Sequence, residues 1–272
     1  MYPETILPIV AHIPHAGIEI PAAVRGQFVP GSAELWREIL LLSDWYTDEL
    51  FAVPGIATVK TPISRLVVDL ERFTDNSREP RAAVGQGVVY THRTDGSPLR
   101  RQLSDSERRN LLENYYRPWH LQLELDIIQQ TTRWGHCLLL DCHSFPDEPF
   151  ANEQPDRRGR PDICLGLSDS NSPAWLVDSF TEAFTRAGYS VELDTPYAGC
   201  LVPEQFRGNP SVPAIMVEVN RRLYLEWNAS NPIGECRLPD KTQGFDQLRY
   251  DICSIMLQVT QELHCRLPQR SL

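Results

Sequence analysis

Apolar residues in this chain gather in short runs, separated by longer stretches with helical spacing. The runs at 6–13 (ILPIVAHI), 57–60, 66–70, 137–142 (CLLLDC) and 215–219 predict strands, and the most apolar of them predict strands buried on both faces. Between them, 33–51 has helical spacing, with Leu40, Leu41, Leu50 and Phe51 among its apolar positions. The segment 104–130 predicts a long helix with Ser104 as N-cap, Asp105 and Glu107 in its first turn, and a kink at Pro118. A helix over 173–187 would be capped by Ser172, start at Pro173 and close at Gly188. An amphipathic helix over 245–266 ends the pattern. Alternating strands and helices predict an α/β fold with a mostly parallel or mixed central sheet. With no repeat, low-complexity block or long linker, the 272 residues read as one domain, 1–272.

In such sheets ligands bind just outside the carboxyl ends of strands, so the residues after each run are the ones to examine. The first run leads into His12-Ile13-Pro14-His15-Ala16-Gly17. Read alone, His15 is either a loop histidine satisfied by backbone bonds or a ligand. His12 competes with it, although strand alternation would turn the two rings to opposite faces. The CLLLDC run leads into His143, and Asp141, two residues earlier, shares its face and is placed to orient the imidazole. Asp44, in Ser43-Asp44-Trp45, is either a helix N-cap or a carboxylate ligand, and Asp48 lies four residues on along the same helical face. Two histidines and one carboxylate are a common catalytic zinc set that leaves a fourth position for water, whose pKa the metal lowers. Glu218 sits inside the apolar run AIMVEVN. A buried carboxylate is costly unless it is paired or functional, so it is either a general base or the ion-pair partner of Arg221 or Arg222. In Ser64-Arg65-Leu66-Val67-Val68-Asp69-Leu70-Glu71-Arg72, strand alternation would place Arg65, Val67 and Asp69 on one face. Arg65 there is either paired to Asp69 or, like Arg72, a bidentate clamp for a substrate carboxylate.

Other features narrow the class. H-E-x-x-H, G-x-S-x-G and P-loop patterns are absent, which removes thermolysin-like proteases, typical α/β-hydrolases and P-loop enzymes. A net charge of −10 with no basic run beyond pairs such as Arg100-Arg101 argues against nucleic acid. No apolar run approaches the roughly 18 residues of a membrane span, and no basic-then-apolar leader opens the chain, so a cytoplasmic protein is expected. The seven cysteines form no C-x-x-C pair and read as reduced thiols, with Cys142 turned into the core.

Taken in order, His12-Ile13-Pro14-His15-Ala16-Gly17, Ser43-Asp44-Trp45, the 64–72 segment, Tyr116-Arg117-Pro118-Trp119-His120, Asp141-Cys142-His143-Ser144, Pro161-Asp162-Ile163, Thr195-Pro196-Tyr197-Ala198-Gly199 and Met216-Val217-Glu218-Val219-Asn220 resemble the N-formylglutamate amidohydrolase family. The resemblance runs from about residue 9 to about residue 260, and each fragment is weak alone but specific in register. It implies a three-layer α/β/α sandwich with a mixed sheet, like zinc carboxypeptidases and aspartoacylase. It also implies one zinc, or another divalent metal, on His15, Asp44 and His143, with Glu218 promoting water attack. Arg65, Asp69 and Arg72 would receive substrate carboxylates, and Tyr197 and Gly199 would form a pocket wall. The implied substrate is a small anionic N-acyl amino acid, N-formyl-L-glutamate, as in histidine breakdown. Ala16 stands where the family commonly has Ser, and the stretch after Arg72 also departs from the pattern, so the acyl group and amino acid stay open. The alternatives are another N-acyl amino acid or a short peptide as substrate, or a binding protein without catalysis, for which Glu218 would have no use.

Overall fold

The computed structural model describes residues 7–150, 152–153, 159–226 and 237–267. Six strands form its central sheet: β1 (Ile9–Ile13), β2 (Ala57–Lys60), β3 (Leu138–Phe145), β4 (Ile163–Gly166), β5 (Val191–Leu193) and β6 (Ala214–Asn220), in the order β2-β1-β3-β6-β4-β5. β2, β1, β3 and β6 run parallel, and β4 lies antiparallel to β6 and parallel to β5. The sheet is mixed, as expected, and β4 and β5 are strands that the apolar pattern did not predict.

Period-2 alternation sends each strand into two separate cores. Ile9, Ala11, Ile13, Leu138, Leu140, Cys142, Ile215, Val217 and Val219 pack with helices Ser32–Leu42, Ala174–Arg186 and Gly244–Arg266. Val10, Leu139 and Ala214 pack on the other face with Trp119, Leu123 and Ile127 of helix Arg117–Trp134. The result is three layers, helix–sheet–helix, as expected. Along the second face the apolar positions give way to His12, Asp141, His143, Met216 and Glu218, which follow Val10, Leu139 and Ala214 at spacings of two. One sheet face is therefore core at its amino end and polar at its carboxyl end.

Several local expectations are revised. The 66–70 run is not a strand but a series of turns. Leu66 and Val67 enter one core and Val68 and Leu70 the other, so the segment threads between layers and lacks the alternation of a strand. The helix expected over 33–51 ends at Leu42 and resumes at Thr47–Leu50, because Ser43 is extended and Tyr46 adopts φ 59°. His143 lies inside β3, which continues to Phe145. The 104–134 helix keeps its Ser104–Glu107 capping box, and at Leu112–Tyr116 a π-turn stands just ahead of Pro118. Pro173, not Ser172, is the N-cap of its helix, since the Ser172 hydroxyl donates to the Ala214 carbonyl at 2.6 Å. Among the described residues no helix is long and apolar enough to cross a membrane.

Candidate active site

The turn after β1 carries His15, and its Gly17 is required by close approach. A side-chain carbon there would come within 2.5 Å of the Thr61 carbonyl oxygen and Pro62. The 61–64 strap runs alongside, bonded through Glu19 N to Pro62 O (2.8 Å) and Ser64 N to Glu19 O (3.0 Å), and this fixes the start of the 64–72 turns beside His15. The break between helices brings in Asp44, whose N–H donates to the His15 carbonyl at 3.0 Å. β3 supplies His143, and Glu218 is its register partner on β6.

His15, Asp44 and His143 converge as the resemblance implied. Their donor atoms lie within 4.8 Å of one another, and all three residues are buried. His143 Nδ1 is 3.0 Å and His15 Nδ1 3.6 Å from Asp44 Oδ2. His15 Nδ1 is buried without a hydrogen-bond partner. A buried imidazole nitrogen facing a carboxylate oxygen beyond bonding distance, with a second imidazole nitrogen aimed at the same oxygen, is what a cation between them accounts for. The donor set of two nitrogens and one carboxylate oxygen fits zinc. Burial alone would raise the Asp44 pKa, but the two imidazoles beside it and the charge of Arg221 hold it well below the usual carboxylate range. Asp44 is thus an anion, and neither of its alternatives is realised. The short helix after it has no side-chain cap, and Asp48 is spent at 3.0 Å on Lys60 at the surface.

Behind each histidine stands a carboxylate. Asp69 Oδ1 accepts from His15 Nε2 at 2.9 Å, and His143 Nε2 lies 3.0 Å from both Asp141 Oδ1 and Glu71 Oε1. Such partners fix the ring orientation and leave the other nitrogen for a metal. This corrects the expectation for Asp69, which is fully buried and does not line the cleft. Its Oδ2 accepts from Arg65 (2.8 Å) and Tyr90 (2.6 Å). Arg65 lines the cleft, but its ion pair with Asp69 is the alternative that the geometry realises. Glu71 is a site residue that the sequence reading passed over. It lies in the same motif, on the Asp69 side of the supposed strand, and the turns that replace that strand carry it to His143.

His12 does not face away from the site. β1 ends before His15, so alternation does not relate the two, and His12 lies opposite Asp141 with Nδ1 2.7 Å from Asp141 Oδ1. Arg221, proposed above as a partner for Glu218, instead donates to Asp44 Oδ1 (2.9 Å), Ser144 Oγ (3.1 Å) and the Leu41 carbonyl (2.8 Å). Arg222 pairs with Asp147 and Asp162. Glu218 is left with Oε2 buried and without a hydrogen-bond partner. Burial pushes its pKa up to about 8, with the charges of Asp44 and Glu71 adding to the rise and those of His143 and Arg221 opposing it. That is a buried carboxyl group outside any structural ion pair, and a candidate for proton transfer.

A cleft of about 780 Å³ opens over His15, Asp44, His143 and Glu218. Arg72 and Arg81 line it, and the Arg72 Nε is buried without a hydrogen bond, 3.8 Å from Asp69 Oδ2. Tyr197 forms part of the wall, its hydroxyl donating to Glu153 Oε1 at 2.8 Å. Gly199 does not line the cleft. With φ 93° it sits behind the wall, its carbonyl against Gly166, where a side-chain carbon would come within 2.1 Å.

A family model for N-formylglutamate amidohydrolase matches residues 7–225. The chain is 27% identical to the N-formylglutamate deformylase of Pseudomonas putida over 232 residues, 81% of this chain and 82% of that one. It is likewise 27% identical to the enzyme of the same name from Pseudomonas aeruginosa over 236 residues, 82% and 84% of the two chains. Its fold is similar to that of an N-formylglutamate amidohydrolase crystal structure from Ralstonia eutropha, with a TM-score of 0.80, 23% identity and 95% of both chains covered. A protein from Agrobacterium tumefaciens shares the fold at a TM-score of 0.66 and 15% identity, covering 95% of this chain and 91% of that one.

Proposed function

This chain belongs to the N-formylglutamate amidohydrolase family, and from that premise we propose that it hydrolyses N-formyl-L-glutamate to formate and L-glutamate, using zinc or another divalent cation held by His15, Asp44 and His143. One observation carries the reading: an unpaired Glu218 carboxylate faces a cleft directly beside three convergent ligand atoms. When bound, the cation supplies Lewis acidity, polarising the formyl carbonyl and easing deprotonation of water. The chain's own groups do the rest. Arg72 and Arg81 receive the substrate carboxylates, and the Tyr197 wall limits the cleft. Glu218 takes a proton from the water as its oxygen bonds to the formyl carbon, then delivers that proton to the glutamate nitrogen as the C–N bond breaks.

In this reading residues 1–272 act as one catalytic domain in the cytoplasm, a setting supported by the six free cysteines among the described residues, and the reaction belongs to histidine breakdown. The cleft is larger than N-formylglutamate requires, which favours a second reading, a longer N-acyl amino acid or short peptide. The test is formate release from N-formyl-L-glutamate by cation-loaded and chelated protein, beside N-formyl-L-glutamine and N-acetyl-L-glutamate. Preference for N-formyl-L-glutamate with full loss on chelation supports the proposal. Turnover of the acetyl compound with no formate released from the formyl one would transfer the activity to the second reading.

A further inference from the structure

The motif Tyr116-Arg117-Pro118-Trp119-His120 has no part in the chemistry above, yet it meets the site in three places. The Tyr116 hydroxyl donates to the Arg72 carbonyl at 3.1 Å, and His120 Nε2 lies 2.8 Å from the Leu70 carbonyl. The two rings pack against each other at a 31° tilt with centroids 4.1 Å apart, so together they hold the turn that carries Glu71 and Arg72. The third contact reaches further in. Trp119 Nε1 donates to His12 Nε2 at 3.1 Å.

An indole nitrogen only donates, so the imidazole nitrogen that it meets must accept. His12 Nε2 therefore carries no proton, and the proton of this fully buried ring sits on Nδ1. Nδ1 is 2.7 Å from Asp141 Oδ1, which makes that contact a hydrogen bond donated to the carboxylate. Asp141 Oδ1 also accepts from His143 Nε2 at 3.0 Å, and Oδ2 accepts from Leu201 N at 3.0 Å. Asp141 is thus held on both oxygens, and His143, with its proton on Nε2, presents the lone pair of Nδ1 toward Asp44 and His15. The same logic removes a competing site. His12, Glu71 and Asp141 also bring ligand atoms within 4.8 Å of one another, but His12 has one nitrogen filled by the indole and the other protonated, leaving no lone pair for a cation.

We propose that Trp119 is a positioning residue of the cation site, acting through His12 and Asp141 to fix the orientation and tautomer of His143. The proposal rests on the reading of His15, Asp44 and His143 as cation ligands. The first test is made on metal-free wild-type protein. Long-range proton–nitrogen correlation spectra read the histidine tautomers, and the His12 signals are identified by their loss in His12→Gln. The expected result is a single His12 tautomer, protonated on Nδ1. A ring protonated on Nε2, or on both nitrogens, overturns the proposal.

The second test is Trp119→Phe, which keeps an aromatic ring in the core while removing the N–H together with the five-membered ring that bears it. Divalent-cation affinity, measured by competition with a chromogenic chelator, is expected to fall about 10–100-fold. In cation-saturated protein kcat falls while KM holds, because the substrate arginines are untouched. Affinity within about twofold of wild type, in a variant that unfolds at the wild-type temperature, overturns the proposal. If the variant does not fold, the wild-type spectrum still decides. A wild type that binds no divalent cation sinks the proposed reaction, whereas the His12 spectrum decides the tautomer independently of any bound cation.

Discussion

Replacing Asp69 with Asn separates two roles for one carboxylate, a substrate contact and a buried support for His15. In the structure Asp69 is fully buried and accepts from His15 Nε2, Glu71 N, Arg65 and Tyr90. The opposing charges of Arg65, His15 and Arg72 overcome the effect of burial and hold its pKa well below the usual carboxylate range. Asn keeps the shape but replaces one acceptor oxygen with an amide that donates, so it faces an N–H or O–H donor whichever way it is turned. It also strips the buried Arg65 guanidinium of its paired charge. Removing one partner of a buried pair costs about 3–5 kcal/mol, and loss of the carboxylate behind a metal-binding histidine weakens cation affinity about 10–100-fold. Urea unfolding of chelated wild type and Asp69→Asn measures the first effect, and chelator competition measures the second. Both are expected to drop together, with KM little changed in whatever cation-loaded variant remains. Unchanged unfolding and cation affinity beside a raised KM would return Asp69 to the substrate and refute the reasoning.

Arg72→Met should raise KM for N-formyl-L-glutamate roughly 10–100-fold, from the loss of charge-assisted bonds worth about 1.5–3 kcal/mol, while cation binding is unchanged; steady-state kinetics beside a cation titration check this. His120 tests the acid limb of stability. Burial pushes its pKa down to about 4 from an ordinary 6.5. The unfolded chain therefore takes up a proton near pH 6.5 that the folded chain refuses until near pH 4, and stability falls as pH drops through that window, by up to about 3 kcal/mol. His120→Gln keeps a donor for the Leu70 carbonyl and removes the titration, so denaturant unfolding between pH 6.5 and 4 should show a shallower loss than in wild type. An equal loss would assign the acid sensitivity elsewhere.

What the sequence revealed of this site follows from which interactions are local. The strand and turn around His15, the apolar run around Glu218, and the Ser104–Glu107 cap are written in residues a few positions apart, and each was legible. Residues 64–72 were not, because their alternating charged and apolar positions read as a strand, whereas Leu66 and Val67 are buried in one core and Val68 and Leu70 in the other, a division that no period-2 strand gives. The same error misassigned Asp69. Arg221 was anticipated as a buried pair, but for the wrong carboxylate, since only the tertiary fold brings it to Asp44, 177 positions away. Trp119 lay in a quoted motif whose purpose depends on His12, 107 residues distant. The ligand residues and Asp141 could be named from motifs and strand alternation, whereas the roles of Asp69 and Glu71 behind the histidines needed the packing of the 64–72 turns against β1 and β3.

The central claim is that Glu218 moves the proton beside a cation held by His15, Asp44 and His143. Glu218→Gln keeps the side chain's size and removes its basicity, so it tests that claim most directly. With the variant loaded to the wild-type cation stoichiometry, formate release from N-formyl-L-glutamate is expected to fall about 10²–10⁴-fold while cation affinity and substrate binding are retained. Formate release at the wild-type rate from such a variant would contradict the account.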